Sequence, residues 1–598
     1  MSQDFTAPYW DPSLPVDRRV EDLLGRMSLE DKAGLMFQDM VIVGADGQLA
    51  GDDNRIGKPA TERAIRELRM THFNLLGAAP DVRELAQWHN RLQESARSTG
   101  LGIPVTLSTD PRNAFSSNPG TAAKAGPFSQ WPESLGLAAL RDPALVERFA
   151  DSARQEYLSV GLRSALHPQI DLATEPRWAR IGMTFGEDAD LTSQLVTAYI
   201  RGFQGTTVGK ESVSTMTKHF PGGGPQKDGE DPHFEYGREQ VYPGGRFDYH
   251  LKPFIAAIEA GAAQIMPYYG MPVDTEYEEV AFGFNKGIIT GLLRERLGFQ
   301  GIVCTDWGLL TDGVIMGQTM PARAWGVEHL SPAERVEKAL DAGVDQFGGE
   351  SVPELIIGLV RNGRVAEERL DVSVRRLLSE KFRLGLFENP FVDVDNAART
   401  VGRADFVAAG QEAQRAAITR LTETTAGAAA LPLSPDRRVY LEGFNTDAGR
   451  RLGTVVQDPN DADVAVLRLA APFEPRSGGF EAFFHAGSLE FSEAERDRIL
   501  AICSAVPTII DLYLDRPAII PEIADAAGAL IVNFGASDEA LADVLLGIAR
   551  ARGRLPFDLP SSTRAVVESC PDVPFDTLDP LFRFGEGLGR VSLPGVEL

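Results

Sequence analysis

The chain has 598 residues, of which 43% are hydrophobic and 24% charged, and it carries a net charge of −26. That length is too great for a single hydrophobic core, and the composition is typical of a globular protein with two or three domains. The strong negative charge argues against nucleic acid or an anionic membrane surface as a partner, because both attract basic proteins.

The cysteine content bears on the cellular compartment. Cys304, Cys503 and Cys570 lie far apart along the chain. An odd number at such spacing forms no disulfide framework and matches no metal-binding pattern, which favours a reducing compartment. Residues 1–24 lack the apolar core of a signal peptide, and no later segment is apolar for the length of a membrane helix. A cytoplasmic location is therefore expected.

The first two-thirds of the chain alternates short apolar runs with helical patterns. Ser28 precedes one of these helices and is expected to cap its N-terminus. Eight apolar runs of strand length occur at 35–43, 72–76, 103–107, 164–172, 213–220, 262–269, 302–305 and 344–347. Eight strands separated by helices predict a (β/α)8 barrel, and residues 1–390 are long enough for one with insertions.

The last third has a second alternation of strands and helices. Residues 391–434 are rich in Ala, Pro and Asp and predict a linker with one helix at 405–425. The segment 435–598 has the pattern of a doubly wound parallel sheet, so the predicted fold class is α/β throughout. Its strands are expected at 438–444, 463–469, 508–514 and 528–534, and its helices at 492–506 and 537–551.

A carboxylate and an aromatic ring directly follow the seventh barrel run. Asp306 and Trp307 come after the apolar residues 302–304, which Gly298 and Gly301 precede. An acid at the C-terminal end of a buried parallel strand is where α/β enzymes hold catalytic groups. Capping of the next helix would explain Asp306 equally well. The neighbouring Trp307 favours a catalytic group, because carbohydrate sites need an apolar platform beside a carboxylate.

Polar residues also follow the other barrel runs. Each has a structural explanation by itself, such as a turn, a surface ion pair or the end of a strand. Their shared position at one face of the predicted barrel favours a site that binds several sugar hydroxyls together. They are Asp110 after the third run, Arg177 and Arg180 in the segment after the fourth, Lys218 and His219 after the fifth, and Tyr269 after the sixth.

Six stretches of sequence point to one family. They are RMSLEDKAGLM, EPRWARIGMTFGED, KHFPGGG, LGFQGIVCTDW, GRLPFDLP and FRFGEGLGR, which occur in this order between residues 26 and 590. Together they resemble glycoside hydrolase family 3 enzymes of the β-glucosidase type. The resemblance implies a barrel followed by an α/β sandwich domain, with the active site where they meet. It also implies a retaining, exo-acting β-glucosidase that removes the terminal non-reducing β-D-glucosyl residue through a covalent glycosyl-enzyme.

The same resemblance implies roles for particular residues. Asp306 matches the nucleophile, Tyr269 the tyrosine beside it, and Trp307 the ring that flanks the substrate. Asp110, Lys218, His219 and the arginines of PRWAR match the groups that bind the terminal sugar, with Arg177 and Arg180 both candidates. The implied mechanism needs neither a metal nor an organic cofactor.

The proton donor is expected on a loop of the second domain, again from the resemblance. The segment after the run 462–469 contains two candidate glutamates. Glu474 precedes a proline and a glycine-rich turn, as the family's glutamate does, and is preferred. Glu481, in FEAFFHAG, is the alternative. The loops 116–130 and 317–325 are expected to shape the leaving-group pocket, whose preference the sequence leaves open.

Other functions remain open at this point. A β-N-acetylglucosaminidase branch of the family uses an Asp–His pair on the loop after KHFPG, and Asp231 and His233 stand in roughly that place. A β-xylosidase of the same family and a sugar-binding protein without catalysis are further alternatives. The expected partner is a small β-glycoside or an oligosaccharide, and a homo-oligomer is left open.

Overall fold

A computed structural model describes residues 6–53, 55–78, 81–116, 122–423, 427 and 429–588. Residues 117–121 of the loop 116–130, and residues 589–598 at the end of the expected second domain, therefore lie outside the described residues. Two large sheets organise the described chain, one of eight strands and one of six. Within these ranges, no helix has the length and apolar character that a membrane span requires.

Eight parallel strands form the first sheet. They are β1 (Phe37–Val41), β2 (His72–Leu75), β3 (Thr106–Thr109), β4 (Leu162–Ala165), β5 (Ser214–Phe220), β6 (Gln264–Pro267), β7 (Ile302–Val303) and β8 (Phe347–Gly348). Neighbours follow chain order from β1 to β7, with β8 beside β1. A parallel bridge between Cys304 and Gln346, which adjoin β7 and β8, closes the ring. Each strand overlaps one predicted run, and the expected barrel is confirmed.

Helices precede the first barrel strand and follow the later ones, and they share a hydrophobic core with the strands. They are α1 (Val16–Leu24), α2 (Leu29–Leu35), α3 (Thr61–Arg66), α4 (Val82–Arg97), α5 (Ser134–Leu140), α6 (Pro143–Ser159), α7 (Ala189–Gln204), α8 (Phe247–Glu259), a π-helix (Gly287–Arg296), α9 (Pro332–Ala342), α10 (Pro353–Arg361) and α11 (Glu367–Arg383). Ser28 caps α2 as predicted, in a reciprocal pair with Asp31.

The second sheet has six strands. They are β9 (Thr419–Glu423), β10 (Arg438–Glu442), β11 (Thr454–Val456), β12 (Val464–Ala470), β13 (Thr508–Tyr513) and β14 (Ala529–Asn533). Their order is β9-β14-β13-β12-β10-β11, and only β9 runs antiparallel to its neighbour. The helices of this part are α12 (Val394–Thr400), α13 (Ala404–Ala417), α14 (Thr446–Leu452), α15 (Glu493–Ala505), α16 (Pro521–Ala526), α17 (Asp538–Leu545) and α18 (Thr563–Glu568). The expected second α/β unit is confirmed.

Two predicted helices extend too far. The helix expected at 405–425 ends at Ala417, because β9 begins at Thr419 and joins the edge of the second sheet. A segment expected to be only a linker thus supplies a strand. The helix expected at 537–551 ends at Leu545, because Gly547 has a φ of +71° and leaves the helical path.

Candidate active site

A cavity opens at the C-terminal ends of the barrel strands. Its volume is about 170 Å³, which is roughly ten times the space that one water molecule needs, so it admits a ligand of sugar size. Tyr269 and Trp307 are among the residues that line it. Its polar lining residues are Asn74, Asp110, Arg180, Lys218, His219, His233, Asp306 and Arg323. Most of the predicted site residues therefore meet in one place, while Arg177, Glu474 and Glu481 do not line this cavity.

Asp306 lies just beyond β7, and its carboxylate is held in one orientation. Its Oδ1 accepts a hydrogen bond of 2.8 Å from the backbone N–H of Trp307. Its Oδ2 is buried and has no hydrogen-bond partner among the described residues, and the nearest imidazole nitrogen, Nε2 of His219, is 3.7 Å away. A buried carboxylate oxygen left unpaired costs free energy, which favours a role in chemistry over a role in stability.

A buried carboxylate, Asp171, fixes the imidazole of His219. Oδ2 of Asp171 lies 2.9 Å from Nδ1 of His219, and Oδ1 accepts from the backbone N–H of His219 at 3.2 Å. Burial raises the pKa of Asp171 to about 6, so this group is mostly ionised at pH 7. Burial and the positive charge of Arg180 lower the pKa of His219 well below its ordinary value. With the proton of the neutral ring on Nδ1, Nε2 presents a lone pair to the cavity.

Asp110 is held by residues of two other strands. Nζ of Lys218 lies 3.3 Å from its Oδ1, and Nδ2 of Asn74 donates to its Oδ2 at 3.2 Å. These bonds fix a carboxylate, an ammonium group and an amide side by side, which suits neighbouring hydroxyls of one sugar. Asn74 was not among the predicted site residues, although its place near the end of β2 was a usable signal.

The two arginines of PRWAR have different surroundings. Arg180 lines the cavity, donates to Oε1 of Gln169 at 3.3 Å, and has an Nε without a partner among the described residues. Burial lowers its pKa, but Tyr268 and nearby carboxylates outweigh burial and raise the pKa above its ordinary value. Arg177 instead forms a two-bonded ion pair with Glu175, at 2.8 and 2.9 Å. The geometry therefore favours Arg180 as the arginine that faces a sugar.

The aromatic side chains beside Asp306 are also fixed. The hydroxyl of Tyr269 donates to the backbone carbonyl of Trp307 at 2.9 Å. Burial and the Asp306 carboxylate raise the pKa of Tyr269 well above its ordinary value, so the hydroxyl keeps its proton. The ring of Trp307 lies on Gly348 and Gly349, where a Cβ would come within 2.8 and 2.5 Å of it. These glycines at the end of β8 make room for the ring.

A second pair of acid and imidazole lines the cavity. Nδ1 of His233 lies 2.6 Å from Oδ1 of Asp231. The other oxygen of Asp231 accepts from Nε1 of Trp178 at 3.1 Å and from the hydroxyl of Tyr268 at 3.2 Å. Burial raises the pKa of Asp231, but His233 and Arg180 oppose burial, and the pKa is about 2. Because Nδ1 faces Asp231, Nε2 is the nitrogen of His233 that remains for a ligand.

The second sheet contributes one loop to the cavity, which we call the docking loop (residues 471–487, after β12). Its Phe480 lines the cavity and packs on His233, with ring centroids 5.8 Å apart. Arg476 of the same loop forms an ion pair of 2.9 Å with Glu230, which lies in the barrel segment after β5. Both contacts join the docking loop to the loop that carries His233, so the cavity has walls from both sheets.

The two glutamates predicted as proton donors lie on the docking loop but outside the cavity lining. Glu481 accepts a hydrogen bond from the hydroxyl of Tyr236. Glu474 is exposed, and its side chain lies against Gly487, where a Cβ would come within 2.4 Å of Oε2. Neither observation tests which group donates a proton, and the assignment of Glu474 stays a prediction.

Arg516 holds both ends of the docking loop. Its buried guanidinium donates to five backbone carbonyls at 2.7 to 3.1 Å, those of Arg177, Pro472, Ala486, Gly487 and Ser488. Arg177 belongs to the barrel, whereas Pro472, Ala486 and Gly487 lie at the two ends of the docking loop and Ser488 directly follows it. Burial lowers the pKa of Arg516 to about 10, so the group remains charged at neutral pH. The sequence analysis missed Arg516, since no local pattern marks an arginine whose partners are backbone carbonyls.

Arg323 was also missed, although it lines the cavity and is only 4% exposed. Its Nε donates to the backbone carbonyl of His233 at 3.4 Å, and its Nη1 lies 2.9 Å from where a Cβ of Gly308 would be. It belongs to the loop 317–325, which was expected to shape the leaving-group pocket. That expectation named the loop and not the residue, because no strand end or motif marks Arg323.

Comparison with known proteins gives one family. The model described as the glycosyl hydrolase family 3 N-terminal domain matches residues 67–380. A protein named "Probable beta-glucosidase C" from Aspergillus flavus is 56% identical over 99% of this chain and 93% of its own length. "Beta-glucosidase C" from Emericella nidulans is 53% identical over 98% and 94%. "Periplasmic beta-glucosidase/beta-xylosidase" from Dickeya chrysanthemi is 41% identical over 97% and 91%.

Solved structures share the fold. An exo-1,3/1,4-beta-glucanase from a Pseudoalteromonas species has a TM-score of 0.75 at 22% identity, over 97% of this chain and 95% of that chain. A beta-glucosidase from Listeria innocua, in complex with isofagomine, has a TM-score of 0.72 at 21% identity, over 95% and 82%. At these identities the likeness concerns the arrangement of barrel and second sheet.

Proposed function

The chain belongs to glycosyl hydrolase family 3, and from that membership we propose an exo-acting β-glucosidase that works with retention of configuration. The relatives named as β-glucosidases, at 41% to 56% identity over nearly the whole chain, support the activity. The observation that carries the mechanism is Asp306, a fixed carboxylate with an unpaired buried oxygen in a sugar-sized cavity.

The reaction starts with attack by the carboxylate of Asp306 on the anomeric carbon of the terminal glucosyl residue. The glycosidic bond breaks, the leaving oxygen takes a proton, and a glycosyl ester of Asp306 forms. Water then cleaves the ester and restores the carboxylate, so that two inversions give net retention. Tyr269 keeps its proton beside Asp306 and donates its one hydrogen bond to the carbonyl of Trp307, so it takes no part in proton transfer.

The hydroxyls of the terminal sugar are bound by the polar groups at the strand ends. Asp110 accepts from a hydroxyl, and Lys218 and Arg180 donate to one. Nε2 of neutral His219 accepts a hydrogen bond from a sugar hydroxyl, since the other ring nitrogen is hydrogen-bonded to Asp171. Charged and neutral groups in a buried site reject a sugar that lacks the matching hydroxyl, because they would be left unpaired.

Two residues are candidates for the proton donor. We propose Glu474 on the family resemblance. In retaining enzymes the two catalytic carboxyl groups are about 5–5.5 Å apart. To reach that distance from Asp306, the side chain of Glu474 would have to turn from Gly487 toward the cavity. His233 is the second candidate, and a specific observation favours it: it already lines the cavity, with Nδ1 on ionised Asp231 and Nε2 left for a leaving oxygen. To donate a proton from Nε2, His233 must be the imidazolium. Burial lowers the pKa of His233, whereas the charge of Asp231 favours the imidazolium.

Leaving-group dependence distinguishes these candidates. Glu474→Ala and His233→Ala would be assayed on aryl β-glucosides of decreasing leaving-group acidity. The variant that lacks the true donor should lose about 10²- to 10⁴-fold on the poorest leaving groups and far less on activated ones. Added azide should restore its turnover and give the β-glucosyl azide. Glu481→Ala is assayed in the same way, because Glu481 is the alternative donor on the same loop, and parental behaviour of all three variants would exclude all three donors.

The identity of the terminal sugar is tested by aryl β-glycosides that share one leaving group. We expect the glucoside to have the highest kcat/KM. A higher value for the xyloside would favour the second activity in the name of the Dickeya chrysanthemi relative. A higher value for the N-acetylglucosaminide, together with donor behaviour of His233, would favour that branch of the family. Hydrolysis of none of them would support the alternative of a sugar-binding protein.

The cellular location stays a proposal. The three unpaired cysteines support the cytoplasm, whereas the Dickeya chrysanthemi relative is named periplasmic. Fractionation of the cells that make the protein, with cytoplasmic and exported marker enzymes measured in parallel, would decide between them. Activity in the exported fraction would contradict the cytoplasmic proposal.

A further inference from the structure

We propose that the active site selects β-glucosides whose leaving group is apolar, an alkyl or aryl alcohol, over glucosides whose leaving group is another sugar. The proposal rests on the proposed β-glucosidase function and concerns the mouth of the same cavity. Five side chains there form what we call the apolar collar: Ile56, Val314, Ile315, Met316 and Phe480.

A hairpin carries three of the five collar residues. Its strands Gly313–Ile315 and Gln318–Met320 pair antiparallel. The backbone N–H of Gly317 donates to the carbonyl of Arg55 at 2.9 Å. A Cβ on Gly57 would lie 3.2 Å from Cβ of Val314, so the hairpin packs closely on the segment that contains Ile56. Ile56 and the hairpin residues thus form one continuous apolar surface.

The hairpin also meets the docking loop. Gln318 lies against Gly479, where a Cβ would come within 2.0 Å of its Oε1. The next residue, Phe480, lines the cavity and is 7% exposed. The apolar collar therefore spans both parts of the chain, with the barrel supplying the hairpin side and the second sheet supplying Phe480.

Met316 leaves apolar surface of the collar exposed to water. It is 54% exposed and has a φ of +54°, in the left-handed region that residues other than Gly, Asn and Asp seldom adopt. The two-residue hairpin turn at Met316 and Gly317 requires a positive φ at both positions, where Asn and Gly are usual, so a methionine here exposes apolar surface that the turn does not need. Methionine also adapts its shape to different apolar partners.

The chemistry of the apolar collar decides between the two kinds of leaving group. A second sugar would bring hydroxyls against side chains that carry no donor or acceptor, and unpaired polar groups cost free energy on burial. An alkyl or aryl group would instead be removed from water, which is favourable for every methylene covered. Asn74, Asp110, Lys218, His219 and Asp306 line the cavity at or just beyond strand ends, so the glucosyl ring occupies that part of it and the leaving group lies against the apolar collar.

The experiment compares methyl β-glucoside, hexyl β-glucoside and cellobiose. Methanol and hexanol are similarly poor leaving groups, so the hexyl-to-methyl ratio of kcat/KM reports binding of the alkyl chain. We expect a ratio of about 10 or more in the parent protein, and a lower kcat/KM for cellobiose than for the hexyl glucoside.

Two variants test the collar itself. Met316→Ser and Ile315→Ser should each lower the hexyl-to-methyl ratio about 3-fold or more, mainly through KM of the hexyl glucoside. Ile548→Ser is the matched control, because Ile548 is 66% exposed and lies outside the cavity lining.

Three results would overturn the proposal: a ratio near one in the parent, faster hydrolysis of cellobiose than of the hexyl glucoside, or an unchanged ratio in both collar variants. The first and second leave the β-glucosidase function standing, because glucosides are still hydrolysed. Hydrolysis of none of the three compounds, by protein that folds normally, would overturn the proposed function and this proposal with it.

Discussion

The barrel wall and the docking loop wall of the active site are held in different ways. On the barrel side, buried functional side chains bond to one another, as His219 does to Asp171 and Lys218 to Asp110. On the docking loop, the backbone is held at its two ends by Arg516, and the glutamates along it do not line the cavity. One wall is fixed through its side chains, and the other through its main chain.

This difference separates two parts of the reaction. Groups fixed on strand ends keep their geometry precise enough to bind one sugar and to hold the nucleophile. A loop held at its ends can change its middle residues without disturbing the fold, and such loops carry variable function. The barrel wall is therefore expected to set the glucosyl specificity, and the docking loop and hairpin to set the leaving group.

The largest effect is expected on the barrel wall. Asp306→Asn removes the proposed nucleophile but keeps the shape of the side chain, so kcat/KM should fall at least about 10⁴-fold. The Tm should stay equal or rise, because an unpaired buried carboxylate is replaced by a neutral amide. Asp248→Asn, a change on an exposed ion pair, is the control and should keep parental activity. Substantial activity in Asp306→Asn would contradict the assigned role.

A smaller and more selective loss is expected at Arg516. Arg516→Lys keeps the charge but replaces five planar donors with three, so some carbonyls of the docking loop lose their bond. We expect kcat/KM to fall about 10- to 100-fold through misplacement of the loop. The inhibition constant of glucose should change much less, because the barrel wall binds the sugar. Equal weakening of glucose binding would show that the two walls do not act separately.

A buried glutamate, Glu187, lies where the two parts of the chain join and should make the stability of the fold depend on pH. Glu187, just before α7, accepts hydrogen bonds from the backbone N–H groups of Asp558 and Phe575, at 2.6 and 2.8 Å. Burial, with the neighbouring Asp558 carboxylate, raises its pKa from 4.5 to about 8. The folded chain therefore keeps a proton that the unfolded chain releases above its lower pKa. The resulting stabilisation is complete below about pH 4.5 and is lost as the pH rises through about 8.

Glu187→Gln should remove this contribution, because an amide does not titrate. We expect the Tm of the parent to fall between pH 5 and pH 8, and the fall to be smaller in Glu187→Gln, whatever the absolute Tm of the variant. Thermal unfolding followed by fluorescence across this range measures both slopes. Glu368→Gln, on the surface helix α11, is the control and should keep the parental slope. An identical slope in Glu187→Gln would contradict the raised pKa.

The barrel wall could be predicted from the sequence because its residues follow a local rule. Asp306, Asp110 and Lys218 each come at the end of an apolar run, and the ends of parallel strands meet at one face. The docking loop follows no such rule. The contacts of Arg516 and Phe480 join positions far apart in the chain, and only tertiary packing brings them together.

Local patterns also limited the fold prediction at two places. The segment after Ala417 has no Gly or Pro to stop the helix, but its β-branched residues Ile418, Thr419 and Thr422 were a local signal for β9, which pairs with β14. Near the end of α17, Gly547 gave the correct stop signal, but the apolar pattern beyond it suggested a longer helix. In both cases tertiary pairing or a backbone angle decided the boundary, and periodicity did not.

Trapping the covalent intermediate tests the role of Asp306 most directly. A 2-deoxy-2-fluoro-β-glucoside with an activated leaving group should form the glycosyl ester and hydrolyse it slowly, so the ester accumulates. Digestion with trypsin places Asp306 and Asp312 on the peptide 297–323, and fragmentation in the mass spectrometer separates the two. We predict the label on Asp306, with recovery of activity when the ester is hydrolysed. A label on Asp312 or on any residue outside this peptide would contradict the assignment.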